Sequence, residues 1–385
     1  MHIDPRDVEI CVHDQPIGEP PHPTSVPVFQ TSLFSFPSLE ALGEGFLTES
    51  RTHVYSRGQN PTVEELERKL ATLERGERCK AFSSGMAAIS AVFFGLLRAG
   101  DHVVFVNQIY GPTLQLARQF RRFDVEHDVV LELDPDAVER AIRPETRLIW
   151  VESPGTMLFR LVDLEAIAGL ARSRGILSAI DNTWATPLLQ KPVLLGFDLV
   201  MHTATKYIGG HSDVMAGALI TTEQRMETIF RRAYLLQGGA LGPWDAWLLL
   251  RGLRTLPQRL RHQEEAALDL ARWLEEHSAV ASVHHPALTA DAELAGRQMT
   301  GFAGVFSFVL RDGRWQNVCR VVDGLRKFRI GVSWGGVDSL VLAPKPFPGS
   351  ETQRKQSLPP GLVRLSVGLE DVEALRSDLS QALSR

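Results

Sequence analysis

The alternation of short apolar runs with helix-length segments constrains this chain more than any other feature of its sequence. Six runs of strand length lie at residues 80–83, 102–107, 148–152, 176–181, 199–202 and 216–221. Helical patterns cover residues 85–98, 113–123, 164–174 and 224–236 between and after them. Nearly continuous apolar strands that alternate with helices are typical of a parallel or mostly parallel sheet with helices on both faces. The sequence therefore predicts an α/β architecture.

The pattern changes at both ends of this region. Residues 1–56 contain many prolines and no sustained periodicity, which favours an arm that packs on another surface, such as a neighbouring subunit. Residues 57–244 form the predicted α/β domain. After residue 245 the strand patterns are separated by longer polar stretches, which indicates a smaller C-terminal α+β domain over 245–385. A chain of 385 residues exceeds one average core, so two domains are expected.

Composition excludes several classes of function. The net charge of -5 provides no basic surface for nucleic acid, and no apolar run approaches the ~20 residues of a membrane span. Three scattered cysteines form neither a disulfide framework nor a zinc pattern, and the histidine spacing fits no zinc template, so we expect no metal. We expect a cytoplasmic enzyme with a small-molecule substrate and no nucleic-acid or membrane partner.

Lys206 lies on a polar turn between two apolar runs. Thr203 and Thr205 precede it, and Gly209 and Gly210 follow it. A lysine in such a setting can form a Schiff base, while the hydroxyls can hold a phosphate and the glycines leave room for a ligand. A solvated surface lysine is the alternative that fits most lysines taken alone.

The first strand of the predicted sheet is followed by a helix that opens at Gly85 and Met86. Backbone N–H groups and the helix dipole at this position suit a phosphate. An N-cap role for Ser84 explains the same residues equally well. The segment lacks the dinucleotide-binding pattern and the Walker lysine, so nucleotide-binding functions are disfavoured.

Other polar residues follow predicted strands or precede the first helix. Asp181 ends a strand, where a buried carboxylate needs a partner such as a ring nitrogen, although it can equally cap the following turn. The ring of Tyr110 can lie over a planar ligand or be an ordinary half-buried tyrosine. Tyr55 and Arg57 suit a dianionic phosphate, or form a surface pair.

Taken together, these segments resemble the Cys/Met-metabolism family of pyridoxal-phosphate (PLP) enzymes, the trans-sulfuration enzymes. The resemblance extends over nearly the whole chain and is carried by residues 203–213, Asp181-Asn182-Thr183-Trp184, Tyr55-Ser56-Arg57 and residues 364–371. It implies the aspartate-aminotransferase-like fold (fold type I), with residues 57–244 as the PLP-binding domain. It also implies a homotetramer, built as a dimer of dimers whose active sites are shared across the dimer.

The resemblance also implies a role for each site residue. Lys206 would be the Schiff-base lysine and the catalytic base, and Tyr110 would stack on the cofactor ring and assist in proton transfer. The remaining cofactor contacts would come from Asp181 at the ring nitrogen, from Gly85, Met86, Thr203 and Thr205 at the phosphate, and from Tyr55 and Arg57 of the adjacent subunit. The substrate would be bound by Arg364, Ser333, Trp334, Thr156 and Tyr55.

Within the family, the sequence around residue 333 indicates the reaction type. Ser333-Trp334-Gly335-Gly336 and Thr156 resemble the cystathionine β-lyase branch, which implies α,β-elimination of cystathionine or a related sulfur amino acid to a thiol, pyruvate and ammonia. Tyr55-Ser56-Arg57 and Val332 are closer to the γ-acting branches. The alternative is therefore γ-elimination or γ-replacement.

Overall fold

Two sheets organise the chain in the computed structural model, which describes residues 1–16, 20–344 and 358–384. The larger sheet has seven strands, in the spatial order β1-β7-β6-β5-β4-β2-β3. Strand β7 runs antiparallel to both of its neighbours, and all other neighbouring pairs are parallel. In chain order the strands are β1 (Arg78–Phe82), β2 (His102–Val106), β3 (Glu126–Val130), β4 (Thr146–Glu152), β5 (Leu177–Asp181), β6 (Leu199–His202) and β7 (Gly217–Thr221).

The smaller sheet has five strands in the order β10-β11-β12-β9-β8 and is mostly antiparallel. Its strands are β8 (Val280–His284), β9 (Val305–Leu310), β10 (Arg329–Ile330), β11 (Leu340–Leu342) and β12 (Leu362–Ser366). The helices of the described chain are α1 (Pro5–Val12), α2 (Leu39–Leu47), α3 (Pro61–Glu74), α4 (Gly85–Leu96), α5 (Gly111–Phe120), α6 (Pro135–Arg140), α7 (Leu164–Ser173), α8 (Thr186–Leu189), α9 (Glu223–Ile229), α10 (Leu235–Gln237), α11 (Pro243–Glu275), α12 (Ala292–Gln298), α13 (Trp315–Asp323) and α14 (Val372–Leu383).

Both faces of the large sheet are buried. One face packs against α3, α7 and the first half of α11, and the other packs against α4, α5 and α9. Alternate residues of each strand therefore enter different cores, as Val151 and Trp150 of β4 do. The prediction of a mostly parallel sheet covered on both faces is confirmed.

Helix α11 belongs to two cores. Residues such as Leu249 and Leu260 pack on the large sheet, whereas Leu270 and Leu274 pack on the small one. The sequence pattern predicts two helices here, over 244–251 and 263–277, but the structure has one continuous helix of 33 residues with Pro257 inside it.

The N-terminal segment, whose sequence has no sustained periodicity, contains the short helices α1 and α2. The division of the chain at residues 56 and 244 stays a prediction. Across the described ranges, no helix has both the length and the apolar character needed to cross a membrane.

Candidate active site

Lys206 lies in a helical turn that connects β6 to β7. The turn is closed by backbone bonds from Lys206 N to Thr203 O (3.1 Å) and from Gly210 N to Lys206 O (2.7 Å). Burial and, next, the nearby Arg364 lower the pKa of the Lys206 amine from 10.5 to about 8. The lowered pKa increases the unprotonated fraction of this amine near neutral pH, and the unprotonated form is the one that acts as a base or a nucleophile.

The lysine turn contacts a loop that precedes the small sheet's strand β11. The Lys206 amine donates to Ser333 Oγ at 2.8 Å and lies 5.3 Å from the centre of the Trp334 ring. Gly335 has φ of +80°, and a Cβ there would lie 3.0 Å from Tyr207 N. A glycine is thus needed for the loop to approach the lysine turn this closely.

Asp181 is the last residue of β5, and its carboxyl accepts hydrogen bonds from Thr183. The backbone N–H of Thr183 donates to Asp181 Oδ1 at 3.0 Å, and the Thr183 hydroxyl donates to the same oxygen. That hydroxyl accepts from Thr203 N at 2.8 Å, which ties Asp181 to the lysine turn. Burial raises the pKa of Asp181, against the hydrogen bonds from Thr183. Thr183 has no predicted role in the sequence, although an Asp followed two residues later by Thr is a recognisable turn pattern.

A second carboxyl lies beside Asp181. Glu152 ends β4 and is paired in register with Asp181. Its Oε2 accepts from Tyr110 N at 2.7 Å, at the start of α5. Glu152 is not among the site residues predicted from the sequence. Its position as the last residue of a predicted strand is the sequence signal that could have identified it as a site residue.

The expected phosphate site combines the start of α4 with the lysine turn. Ser84 caps α4 by accepting from Ala87 N at 3.1 Å, so the capping role is observed. Gly85 lies against Thr203, because a Cβ on Gly85 would be 2.2 Å from Thr203 Oγ1. Gly85 and Met86 are the first residues of α4, where backbone N–H groups lack partners within the helix.

Thr205 is engaged with the backbone. Its hydroxyl donates to Ala216 O at 3.1 Å and accepts from Ala216 N at 2.9 Å. The single hydroxyl hydrogen is therefore directed away from a ligand, and a phosphate contact by this side chain would require that bond to be exchanged.

Arg364 extends from β12 toward the same cleft. Its side chain is 6% exposed, and Nη2 donates to the carbonyls of Val332 (2.9 Å) and Ser333 (3.3 Å). Burial lowers the pKa of this guanidinium to about 10. No salt bridge joins it to a carboxylate within the described ranges. A buried guanidinium of this kind is suited to an anionic substrate group.

Tyr55 and Arg57 contact each other and the N-terminal segment. The Arg57 guanidinium is 5.4 Å from the centre of the Tyr55 ring, and Tyr55 pairs with Leu33 of the N-terminal segment. In the part of the chain that the structure describes, their contacts do not reach Lys206. Thr156 is half-buried, and its N–H donates to Gln108 O at 3.1 Å.

The cluster fits PLP on three observations. Lys206, a base with a lowered pKa, suits the aldehyde of that cofactor. Asp181, a carboxyl at a strand end, suits its ring nitrogen, and the start of α4, packed on Thr203, suits its phosphate. The close contact of Gly85 with Thr203 leaves no space for a side chain at that point of the turn. Fold and site together define the class of PLP-dependent enzymes.

Comparisons with known proteins agree. Residues 11–384 match the model of the family described as Cys/Met metabolism PLP-dependent enzyme. The chain is 43% identical to a cystathionine gamma-synthase of Mycobacterium tuberculosis, over 93% of this chain and 92% of that protein. It is 37% identical to a cystathionine beta-lyase of Lactococcus lactis subsp. cremoris, over 94% of each. The crystal structure of cystathionine gamma-lyase from Lactobacillus plantarum complexed with L-serine has a TM-score of 0.90, 34% identity and 98% coverage of each chain.

The chain therefore belongs to the Cys/Met metabolism family of PLP-dependent enzymes, and PLP is its cofactor. The resemblance noted in the sequence and the fold type I architecture are both confirmed. The roles assigned to individual site residues stay predictions.

Proposed function

We propose that the protein is a PLP-dependent carbon-sulfur lyase that catalyses α,β-elimination of cystathionine or a related sulfur amino acid. The products would be a thiol (homocysteine from cystathionine), pyruvate and ammonia. The observation that carries this proposal is the Trp334 ring, which lies 5.3 Å from the Lys206 amine. An α,β-elimination needs the amine to remove one proton, at the substrate Cα, so a ring that restricts movement of the amine is compatible with it.

Each site residue would have a separate role. Bound PLP supplies a ring that withdraws electrons from the substrate Cα. Lys206 would hold the cofactor aldehyde, Asp181 would face the ring nitrogen, and the start of α4 with Thr203 would hold the phosphate. Tyr110 would lie against the ring.

The substrate carboxylate would bind to Arg364 and the Ser333 hydroxyl. Lys206, with its pKa of about 8, would remove the proton from Cα. The thiolate that leaves Cβ would be protonated by Lys206 or by Tyr110. Ser333 has a further role, since its hydroxyl accepts from the Lys206 amine at 2.8 Å and orients it toward the substrate side of the cleft.

A second candidate function is γ-elimination or γ-replacement. It is supported by the 43% identity to a cystathionine gamma-synthase. Val332 also favours it: the side chain is 83% exposed next to Ser333, and the sequence resembles γ-acting branches at this position. In this reaction Lys206 would remove a second proton, from Cβ, and therefore would have to travel past the Trp334 ring.

One incubation separates the two candidates. Purified protein loaded with PLP is supplied with cystathionine, and the keto acid and the thiol are identified. Pyruvate with homocysteine supports α,β-elimination, whereas 2-oxobutyrate with cysteine contradicts it and supports the γ reaction. The Lys206→Ala variant should form neither pair of products, and it serves as the control for background chemistry.

The proposed assembly is a homotetramer in which two subunits complete each active site, and a cytoplasmic location goes with this proposal. Within the described part of one chain, neither Tyr55 nor Arg57 contacts Lys206, which supports sharing. Exposed apolar side chains near this segment, such as Leu39 and Leu47, also support burial against another copy.

Mixing inactive subunits tests the shared site. Arg57→Ala and Lys206→Ala chains are unfolded together, refolded and assayed. If sites are shared, about a quarter of the sites are wild type and activity returns to that level. If each chain completes its own site, the mixture stays as inactive as its two parents.

A further inference from the structure

Glu152 lies at the edge of the large sheet where the predicted cofactor residues converge. Strands β4 and β5 are parallel, and Glu152 is registered with Asp181 at their carboxyl ends. Registered residues of neighbouring parallel strands face the same side, with backbones about 4.8 Å apart. The two carboxyls are therefore neighbours on the ligand side of the sheet.

The carboxyl of Glu152 binds the main chain at the start of α5, which borders the cleft. Its Oε2 accepts from Tyr110 N at 2.7 Å. Tyr110 is the residue before α5 and makes no side-chain cap of its own. The Glu152 side chain thus fixes the main chain of the predicted stacking residue.

The backbone around Glu152 is itself held by Asn107. The Asn107 amide donates to the carbonyls of Glu152 and Arg160, both at 2.9 Å. Asn107 adopts φ of +76°, and a Cβ on Gly155 would lie 2.5 Å from its Nδ2. With both ends of the 152–160 loop bound to one amide, the Glu152 carboxyl has little freedom to leave Tyr110.

The two neighbouring carboxyls differ in how strongly their surroundings raise the pKa. Burial, followed by the proximity of Asp181, raises the pKa of Glu152 well above its usual range. Two adjacent carboxyls seldom ionise together, so environments that separate their pKa values give them different tasks. Burial also raises the pKa of Asp181, but less strongly, which favours Asp181 as the carboxyl of this pair that ionises.

We propose that Glu152 is a positioning residue for the cofactor ring: its carboxyl fixes the main chain at Tyr110, beside Asp181. The inference rests on the proposed function only in assigning the ring to the face bordered by Tyr110 and Asp181. It does not depend on which carbon-sulfur bond is broken.

The test measures cofactor binding rather than turnover. Apoprotein of each variant is titrated with PLP, and the circular dichroism of the bound cofactor near its visible absorption band reports the orientation of the ring. Glu152→Ala should weaken PLP binding about tenfold and change the visible signal. Glu152→Gln keeps an oxygen that accepts from Tyr110 N, so it should bind PLP within about twofold of wild type.

Asp378 provides the matched control. It is 5% exposed and accepts backbone N–H groups from Arg326 (2.9 Å) and Lys327 (2.6 Å), so it performs the same structural task in the small-sheet region. Asp378→Ala should lower the thermal midpoint and leave the visible signal unchanged. Should Glu152→Ala fail to fold, Glu152→Asp replaces it, because the shorter side chain cannot reach Tyr110 N without moving the loop.

Two results would overturn the inference. In the first, Glu152→Ala binds PLP with the wild-type affinity and signal while its thermal midpoint falls as in Asp378→Ala, which would make Glu152 merely structural. In the second, Glu152→Gln loses as much affinity as Glu152→Ala, which would make a negative charge the essential property. Failure of the wild-type protein to act on cystathionine would instead refute the proposed function and leave these binding results intact.

Discussion

Replacement of the central lysine should stabilise the protein in the absence of cofactor. Burial and Arg364 lower the pKa of Lys206 from 10.5 to about 8, and this shift corresponds to about 3 kcal/mol of unfavourable interaction with the charged amine. Lys206→Met removes that cost but also removes the 2.8 Å bond to Ser333, worth ~1 kcal/mol. We expect a net gain of about 2 kcal/mol at pH 7.

The change of apoprotein stability with pH tests the sign of this electrostatic effect independently. Below about pH 8 the amine is charged in the folded and the unfolded chain, so the full cost is present. Between about pH 8 and 10.5 the unfolded chain binds more protons, so wild-type stability rises with pH. The advantage of Lys206→Met should therefore shrink over that interval.

Urea denaturation of the apoprotein, at one fixed protein concentration and at pH 7, 8.5 and 10, measures both effects. The matched control is Lys327→Met, which makes the same substitution at a lysine exposed to solvent. A Lys206→Met apoprotein that is less stable than wild type at pH 7, or whose advantage is the same at pH 10, would refute the electrostatic reasoning.

Three further substitutions test the site. Arg364→Leu should lower kcat/KM about 100-fold, mostly through KM, because a charged hydrogen-bonded contact to the substrate carboxylate is lost; steady-state kinetics measure it. Thr183→Ala should weaken PLP binding about fivefold in apoprotein titration by releasing Asp181, with rescue by Thr183→Ser. Gly335→Ala should cost about 1–3 kcal/mol in urea denaturation because φ is +80°, whereas Gly169→Ala, with nothing within 4 Å, should cost nothing.

The parts of the site that could be predicted are those encoded by contiguous residues. Lys206 and Asp181 follow apolar strands, and the carboxyl ends of such strands meet at one edge of an α/β sheet. Sequence pattern alone therefore placed them together, and the structure links them through Thr183 and Thr203.

Other features depend on partners that are distant in the sequence. Strand β3 was missed because Glu126, His127 and Asp128 interrupt the apolar pattern, which an edge strand tolerates. Glu152 acquires its significance only from the register of β4 with β5. No periodicity within its own strand can report that register.

The continuity of α11 was hidden for a similar reason. Gly252 and Pro257 lie in the gap between the two predicted helices, and both residue types ordinarily weaken a helix. At Gly252 a Cβ would lie 2.4 Å from Gly209 O, so the glycine is explained by close contact with the lysine turn and not by a break.

The shared helix α11 has a consequence for how the enzyme can be divided. Its first half is part of the core under the lysine turn, and its second half is part of the core under the strand that bears Arg364. A cut on either side of α11 would remove from one of the two cores the helix that packs in it. A single helix consequently holds the predicted base, Lys206, and the predicted carboxylate ligand, Arg364, at a fixed separation. Neither half of this chain should fold independently of the other.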